Sequence, residues 1–204
     1  MIVRTALAGG KASGPASVPA PIKRKAAVAI VVVPAGEGSR LLLIRRAERL
    51  GDPWSGQMAF PGGHSEPQDA DSLATAIRET MEEVGLRLSS GSHLGALPAL
   101  QATARGLPTG TLITPHVFAL QEAKSLSPNL KEVAATYWAP MGPMARGEWD
   151  AVKVLDHEGQ RLSLPAIAVE GNLVWGLTHR MLREFFALLQ KITDHSAGDR
   201  QETN

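Results

Sequence analysis

Three acids at fixed intervals, Glu79, Glu82 and Glu83, are the residues of this chain best suited to chemistry. They sit in SLATAIRETMEEV, whose spacing predicts a helix over Ser72–Val84. Asp71 or Ser72 would cap its start, and Gly85 stands where a left-handed residue ends a helix. At roughly 100° per residue, Glu82 and Glu83 fall about 60° and 40° to either side of Glu79. The three carboxylates therefore share one face, and Leu73, Ile77, Met81 and Val84 gather on the opposite, apolar one.

Such a helix has two readings. The acids are a solvated charged face, or they hold a hard divalent cation. Glu79 and Glu83 are like charges at i, i+4, and all three acids lie in the C-terminal half, where the helix dipole disfavours them. Arg78 can pair with Glu82 at i, i+4, but no basic residue follows Glu79 at i+3 or i+4. A cation such as Mg²⁺ would remove the repulsion and leave room for water and phosphate oxygens. Helix geometry alone leaves both readings open.

The elements that must position this helix are legible on either side of it. Residues 1–22 are rich in Gly, Ala, Ser and Pro and read as a flexible N-terminal tail. Their basic residues, with the Lys23–Lys25 run, faintly suggest a transit peptide, but there is no apolar secretory core. Ala26–Val33 reads as a buried strand ended by Pro34, and Leu41–Arg45 as its return strand across a glycine turn at 36–39. Residues 47–63 are punctuated by Gly and Pro around a short strand at Gln57–Phe60. Its closing Gly62-Gly63 pair lets backbone approach a ligand closely.

Beyond the acids, His93–Leu100, Leu112–Gln121 and Val133–Ala139 read as strands, with loops at Gln101–Gly110 and Ser125–Lys131. Met141–Gly147 reads as a short helix or turn. A small meander follows over Val152–Leu155, Leu162–Ala168 and Asn172–Gly176, then a helix over Thr178–Ile192 and a polar tail over 194–204. One domain over residues 23–193 accounts for the pattern, and strands interleaved with helices imply a layered α/β fold.

Composition narrows the partners. A net charge of +1 gives no reason to expect a nucleic-acid or membrane-surface protein. With no cysteine, disulfides, thiolate zinc sites and cysteine nucleophiles are excluded. No apolar run approaches the roughly 20 residues of a membrane span, so a cytoplasmic setting is the expectation. The six histidines lack zinc-like spacing, although His64 sits where it could meet a phosphate. Trp54 could stack on a base or anchor its loop. Trp138, Trp149 and Trp175 read as packing.

The stretch Gly63–Leu86 resembles the Nudix box, G-x5-E-x7-R-E-U-x-E-E-x-G-U with U a bulky apolar residue. Gly63, Arg78, Glu79, Glu82, Glu83, Gly85 and Leu86 match it in identity and spacing. Asp69 replaces a glutamate, and Thr80 replaces a large aliphatic residue. The resemblance implies an α/β/α sandwich around a mixed β-sheet, with the box as loop–helix–loop. It also implies Mg²⁺- or Mn²⁺-dependent hydrolysis of a nucleoside diphosphate linked to another moiety. Glu79 and Glu83 would be the principal metal ligands, with Glu82 as ligand or base-side partner and Gly63 offering a backbone atom. Arg78 would orient the glutamates. Glu82 is the nearest candidate for the general base, and Glu132, in SPNLKEV, is the second unless it is a plain loop acid.

The substrate expectation is finer. GQMAFPGG, EPQDAD, TLITPHVF, PN-x-x-EV and VWGLT resemble the coenzyme A pyrophosphatase branch. That branch carries a basic residue four before the Gly of G-x3-F-P-G-G, where this chain has Asp52. Arg45, Arg46 and Arg49 lie near enough to meet the 3′-phosphate instead, with Gly62 and His64 beside the diphosphate. Nucleotide sugars, ADP-ribose, dinucleotides and nucleoside triphosphates are the alternative substrates. A non-catalytic nucleotide-binding module is a different class, disfavoured because all three glutamates are present. Such proteins often form homodimers, and Phe185-Phe186 on the last helix could serve a partner or the core.

Overall fold

A computed structural model describes residues 21–36, 38–104, 107–157 and 160–201. The expected flexible tail therefore lies, apart from Pro21 and Ile22, outside the described residues. Eight strands form a mixed sheet: β1 (Arg24–Pro34), β2 (Ser39–Arg46), β3 (Met58–Ala59), β4 (Gly62–His64), β5 (His93–Ala96), β6 (Leu100–Ala104), β7 (Leu107–Ala119) and β8 (Val133–Pro140). Among the described residues, only β1 and β7 pair in parallel, over Arg24–Val32.

That pairing occupies one whole edge of β1, so β2 and β4 must share the other. Val32–Pro34 pairs with β2, while Ala26–Val28 pairs with Gly62–His64. Between these two registers the strands part, and β3 fills the fork by pairing with Ile44 and Arg45 of β2. The amide of Ala29 donates to the Pro61 carbonyl at 2.8 Å and closes the seam. The glycine-rich entry to the acidic helix is thus stitched into the centre of the sheet.

Strand alternation divides the core in two. Ala27, Ala29, Val31, Leu42 and Ile44 face α1 (Ser72–Val84) together with Phe118 and Val133. Ile30, Leu41, Leu43 and Phe60 face α2 (Met141–Ala145), α3 (Gly176–Gln201) and a second, three-stranded antiparallel sheet. That sheet comprises β9 (Asp150–His157), β10 (Gln160–Val169) and β11 (Asn172–Trp175), the expected meander. The layers are those of an α/β/α sandwich.

Several expectations are corrected. His93–Leu100 is not one strand, because Leu97–Ala99 breaks it into β5 and β6. The loop expected over Gln101–Gly110 is the end of a hairpin: Ala104 pairs with Leu107 and Thr103 with Pro108. Its Gly, Pro and Thr residues suggested a loop, but edge pairing with β7 accommodates them. The last helix continues to Gln201, past the Ile192 at which its apolar pattern stops. Among the described residues, no helix is long and apolar enough to cross a membrane.

Candidate active site

Helix α1 has the expected bounds, for the expected reasons. Asp71 caps it by accepting from the Ala74 amide at 2.8 Å, and Gly85 ends it at φ 67°, its amide donating to the Met81 carbonyl. One residue of the predicted apolar face is misplaced: Met81 is 43% exposed. Thr80 is buried in its stead, its hydroxyl satisfied by donation to the Ala76 carbonyl at 2.7 Å. The Thr that departs from the box therefore packs without leaving an unpaired polar group.

The three acids occupy unequal environments. Glu83 is only 3% exposed, and its Oε2 accepts the Gly62 amide at 2.8 Å. Burial pushes its carboxyl up to about 7, against that hydrogen bond and the attraction of Arg46; Glu79 and Glu132 add repulsion. Burial raises Glu79 as well, opposed by Arg78 and helped by Glu82 and Glu132. Glu82 points outward, with 54% of its side chain exposed. The shared face holds, but only two of its acids are desolvated.

Arg78 is the hub. Its Nη1 donates to Glu79 at 3.1 Å and Glu82 at 2.9 Å; Nη2 donates to the His64 carbonyl at 3.0 Å. Nε and Nη2 also form a forked pair with Asp69 at 3.0 and 2.9 Å. The Arg78 hydrogen bond, against the cost of burial, holds Asp69 well below the usual carboxylate range. Asp69 therefore anchors the arginine. His64 joins the site through its backbone, while its side chain is exposed.

Gly62 and Gly63 are required by space. A Cβ on Gly63 would lie 2.5 Å from the Glu79 carboxylate; one on Gly62, at φ 153°, would lie 2.3 Å from the Ala27 carbonyl oxygen. Glu79 is thus pressed against the Gly63 backbone while Glu83 is tied to Gly62.

A second loop approaches from beyond β7. Ser127 and Asn129 donate backbone amides to the Val84 and Glu83 carbonyls at 2.8 and 2.9 Å, covering the last turn of α1. Glu132 follows, 3.5 Å from Arg49, and Arg49 also donates twice to the Lys131 carbonyl. Arg49 latches the 47–57 segment to this loop. Asn129 is a positioning residue that sequence reasoning passed over: its carbonyl accepts the Glu132 and Val133 amides, both at 2.8 Å. The Pro-Asn turn was its signal.

Arg46 bonds Asp52 at 2.6 Å and lies close enough to Glu83 to lower its pKa. Arg45 pairs with Met58, and alternation turns it toward the face of Leu41 and Leu43, away from the acids. The three arginines are not gathered at one point.

Among the described residues, no three acidic or histidine side chains converge into a ready-made metal cage. Half-buried Glu79 and buried Glu83 nonetheless fit a hard divalent cation. Their desolvation is only partly offset, by Arg78 at Glu79 and by the Gly62 amide and Arg46 at Glu83, and Mg²⁺ commonly takes one or two carboxylates and keeps water for the rest.

Residues 23–157 match the family described as the NUDIX domain. The chain belongs to the Nudix family. A Nudix hydrolase of Photorhabdus laumondii, the uncharacterized NudL, is 32% identical over 151 residues, covering 74% of this chain and 77% of the relative. A MutT/nudix family protein from Enterococcus faecalis superposes with a TM-score of 0.56 at 16% identity, over 87% of this chain and 66% of that one. The Caenorhabditis elegans Ap4A hydrolase superposes with a TM-score of 0.51 at 18% identity, over 82% and 98%. These two likenesses concern the fold alone. The chain is a Nudix pyrophosphohydrolase, and Nudix hydrolases act on nucleoside diphosphate derivatives and generally use divalent metal ions.

Proposed function

We propose that this Nudix hydrolase cleaves coenzyme A or an acyl-coenzyme A to adenosine 3′,5′-bisphosphate and (acyl-)4′-phosphopantetheine, with Mg²⁺ or Mn²⁺. The observation that supports the chemistry is the pair of desolvated carboxylates, Glu79 and Glu83, pressed against Gly63 and Gly62. Glu79, Glu83 and the Gly63 backbone would hold the metal, with Glu82 at its outer side. When bound, the cation would neutralise diphosphate oxygens and acidify a bound water.

The chain's own groups account for the rest. Water attacks one phosphorus, the bond from that phosphorus to the bridging oxygen breaks, and the proton passes to a carboxylate. Glu132 suits the proton better than Glu82, because the Asn129 turn carries it and Arg49 stands 3.5 Å from it, whereas Arg78 bonds Glu82 at 2.9 Å. Arg78 holds Glu79 and Asp69 in place. Arg46 and Arg49 supply cations near the diphosphate, and Gly62 and His64 line its entry. Arg45, on the other face, lies further from that role.

Coenzyme A is favoured by the segments from GQMAFPGG to VWGLT. A second reading, another diphosphate such as a nucleotide sugar or ADP-ribose, is favoured by the Arg46–Asp52 pair, which partly cancels a cation that a 3′-phosphate would need. A mass-resolved hydrolysis panel of coenzyme A, acetyl-coenzyme A, ADP-ribose, a nucleotide sugar, diadenosine polyphosphates and dNTPs decides. Release of adenosine 3′,5′-bisphosphate confirms the first reading. Fast cleavage of another member with coenzyme A intact confirms the second.

A further inference from the structure

The molecule has a second concave surface, on the far side of β3 from the acids. It is a cleft of about 430 Å³ between the Ser55–Met58 segment and the small sheet. Alternation sends Ile167, Val169 and Val174 of that sheet into the core. Leu173, Trp175, Lys153 and Leu155 are left on the opposite face, where they line the cleft. Trp175 pairs with Ala166 of β10, and Lys153 pairs with Leu164 two residues before it, so both side chains leave the same face of the sheet.

The chemistry of this lining is specific. One indole ring, the Lys153 ammonium 5.9 Å from its centroid, and the side-chain amides of Gln57 and Asn172 meet there, and no acid lines it. An ammonium over an indole face is an attraction that a planar ring can replace by stacking, freeing the cation for a phosphate. The amide nitrogens of Asn172 and Gln57 donate to Tyr137, Glu170 and Pro53, so their side-chain oxygens offer acceptors at the rim, as a base amino group requires. The volume falls within the usual range of small-molecule sites.

The cleft is also within reach of the reaction centre. Met58 lines it, and four residues later Gly62 bonds Glu83. Fully extended chain would set those Cα atoms at most about 14 Å apart. A substrate of two moieties joined by a diphosphate spans such a separation.

We infer that this cleft holds the nucleobase of the substrate, stacked on Trp175 with a phosphate of the same nucleotide drawn to Lys153. The inference rests on the diphosphate-hydrolase reading for the identity of the ligand but not for its own test. The test is calorimetric titration of the full chain with adenosine 3′,5′-bisphosphate in EDTA, so that the metal site takes no part. Wild type is compared with Lys153→Ala and Trp175→Leu, and circular dichroism checks each fold.

The expected result is measurable binding by wild type and at least about tenfold weaker binding by each variant. Equal binding by folded Lys153→Ala and wild type would overturn the inference, as would no binding by wild type. Hydrolysis by wild type is scored separately with Mg²⁺. Turnover with unaltered variant binding leaves the enzyme reading standing and removes the cleft; binding lost in the variants without wild-type turnover does the reverse.

Discussion

The Gly62 amide donates to Glu83 Oε2 at 2.8 Å and so holds a buried carboxylate against the glycine-rich loop. A glutamine oxygen can accept the same bond, so Glu83→Gln keeps the local fold and loses the charge. Metal-dependent kcat/KM should fall by more than about 100-fold, beyond the typical cost of an outer-shell change. Circular dichroism and steady-state kinetics check it. Retention of most activity would sink Glu83 as a metal ligand.

Two adjacent glycines should fail differently. Gly63→Ala places a methyl against the movable Glu79 carboxylate, so activity should drop at least tenfold with little change in thermal midpoint. Gly62→Ala meets the Ala27 backbone at a positive φ, so it should cost roughly 3 kcal/mol of stability. Paired melting and rate measurements separate the two.

Arg78→Lys keeps a charge but cannot reproduce the fork to Asp69 and the reach to Glu79, Glu82 and His64. Turnover should fall about 10–100-fold and the metal concentration for half-maximal rate should rise. Metal titrations of both proteins test this.

Glu132→Gln removes the proposed proton acceptor without disturbing the backbone bonds of Asn129. The expected loss in kcat is about 10²–10⁴-fold. If Glu82→Gln shows that loss and Glu132→Gln does not, the base is Glu82.

Stability against pH should carry two opposing slopes when metal is chelated. Burial raises Glu83 from 4.5 to about 7, so its contribution is present at low pH and lost as pH rises through 7. His116 is buried, hydrogen-bonded to Ser72 at 2.9 Å and to His93 at 3.1 Å. Burial and His93 lower it from 6.5 to about 4, against Asp71, so its contribution is full above 6.5 and lost as pH falls toward 4. Each effect is roughly 3 kcal/mol. In EDTA, Glu83→Gln should therefore gain stability relative to the wild type as pH rises from about 4.5 to about 7.5. Urea midpoints through that range decide, and Mg²⁺ at pH 8 should stabilise only the wild type.

Helix α1 was legible to the residue because cap, acids and C-terminal glycine are all local signals. The central strands were legible through their β-branched runs. The hairpin at Ala104–Leu107 was not, since edge pairing by a Pro- and Thr-bearing segment is decided by its partner strand rather than by its own composition. The exposure of Met81 came from the same source. A wheel assigns faces, but the width of the buried stripe depends on what packs against it, and here Thr75, Ala76 and Thr80 allow close approach. The roles of the arginines could not be read from sequence because alternation on β2 sends Arg45 and Arg46 to opposite faces.

The forked pairing of β1 has an evolutionary corollary. Met58–Ala59 and Gly62–His64 fasten the glycine pair to strands on both flanks, so changes in residues 47–57 would leave Glu79 and Glu83 in place and reach Glu132 through Arg49 and Ala47. If the proposed assignment holds, substrate preference would drift in that segment while the metal-binding end stays unchanged. Asp52, paired with Arg46 at 2.6 Å, lies in the segment that this division of labour leaves free to vary.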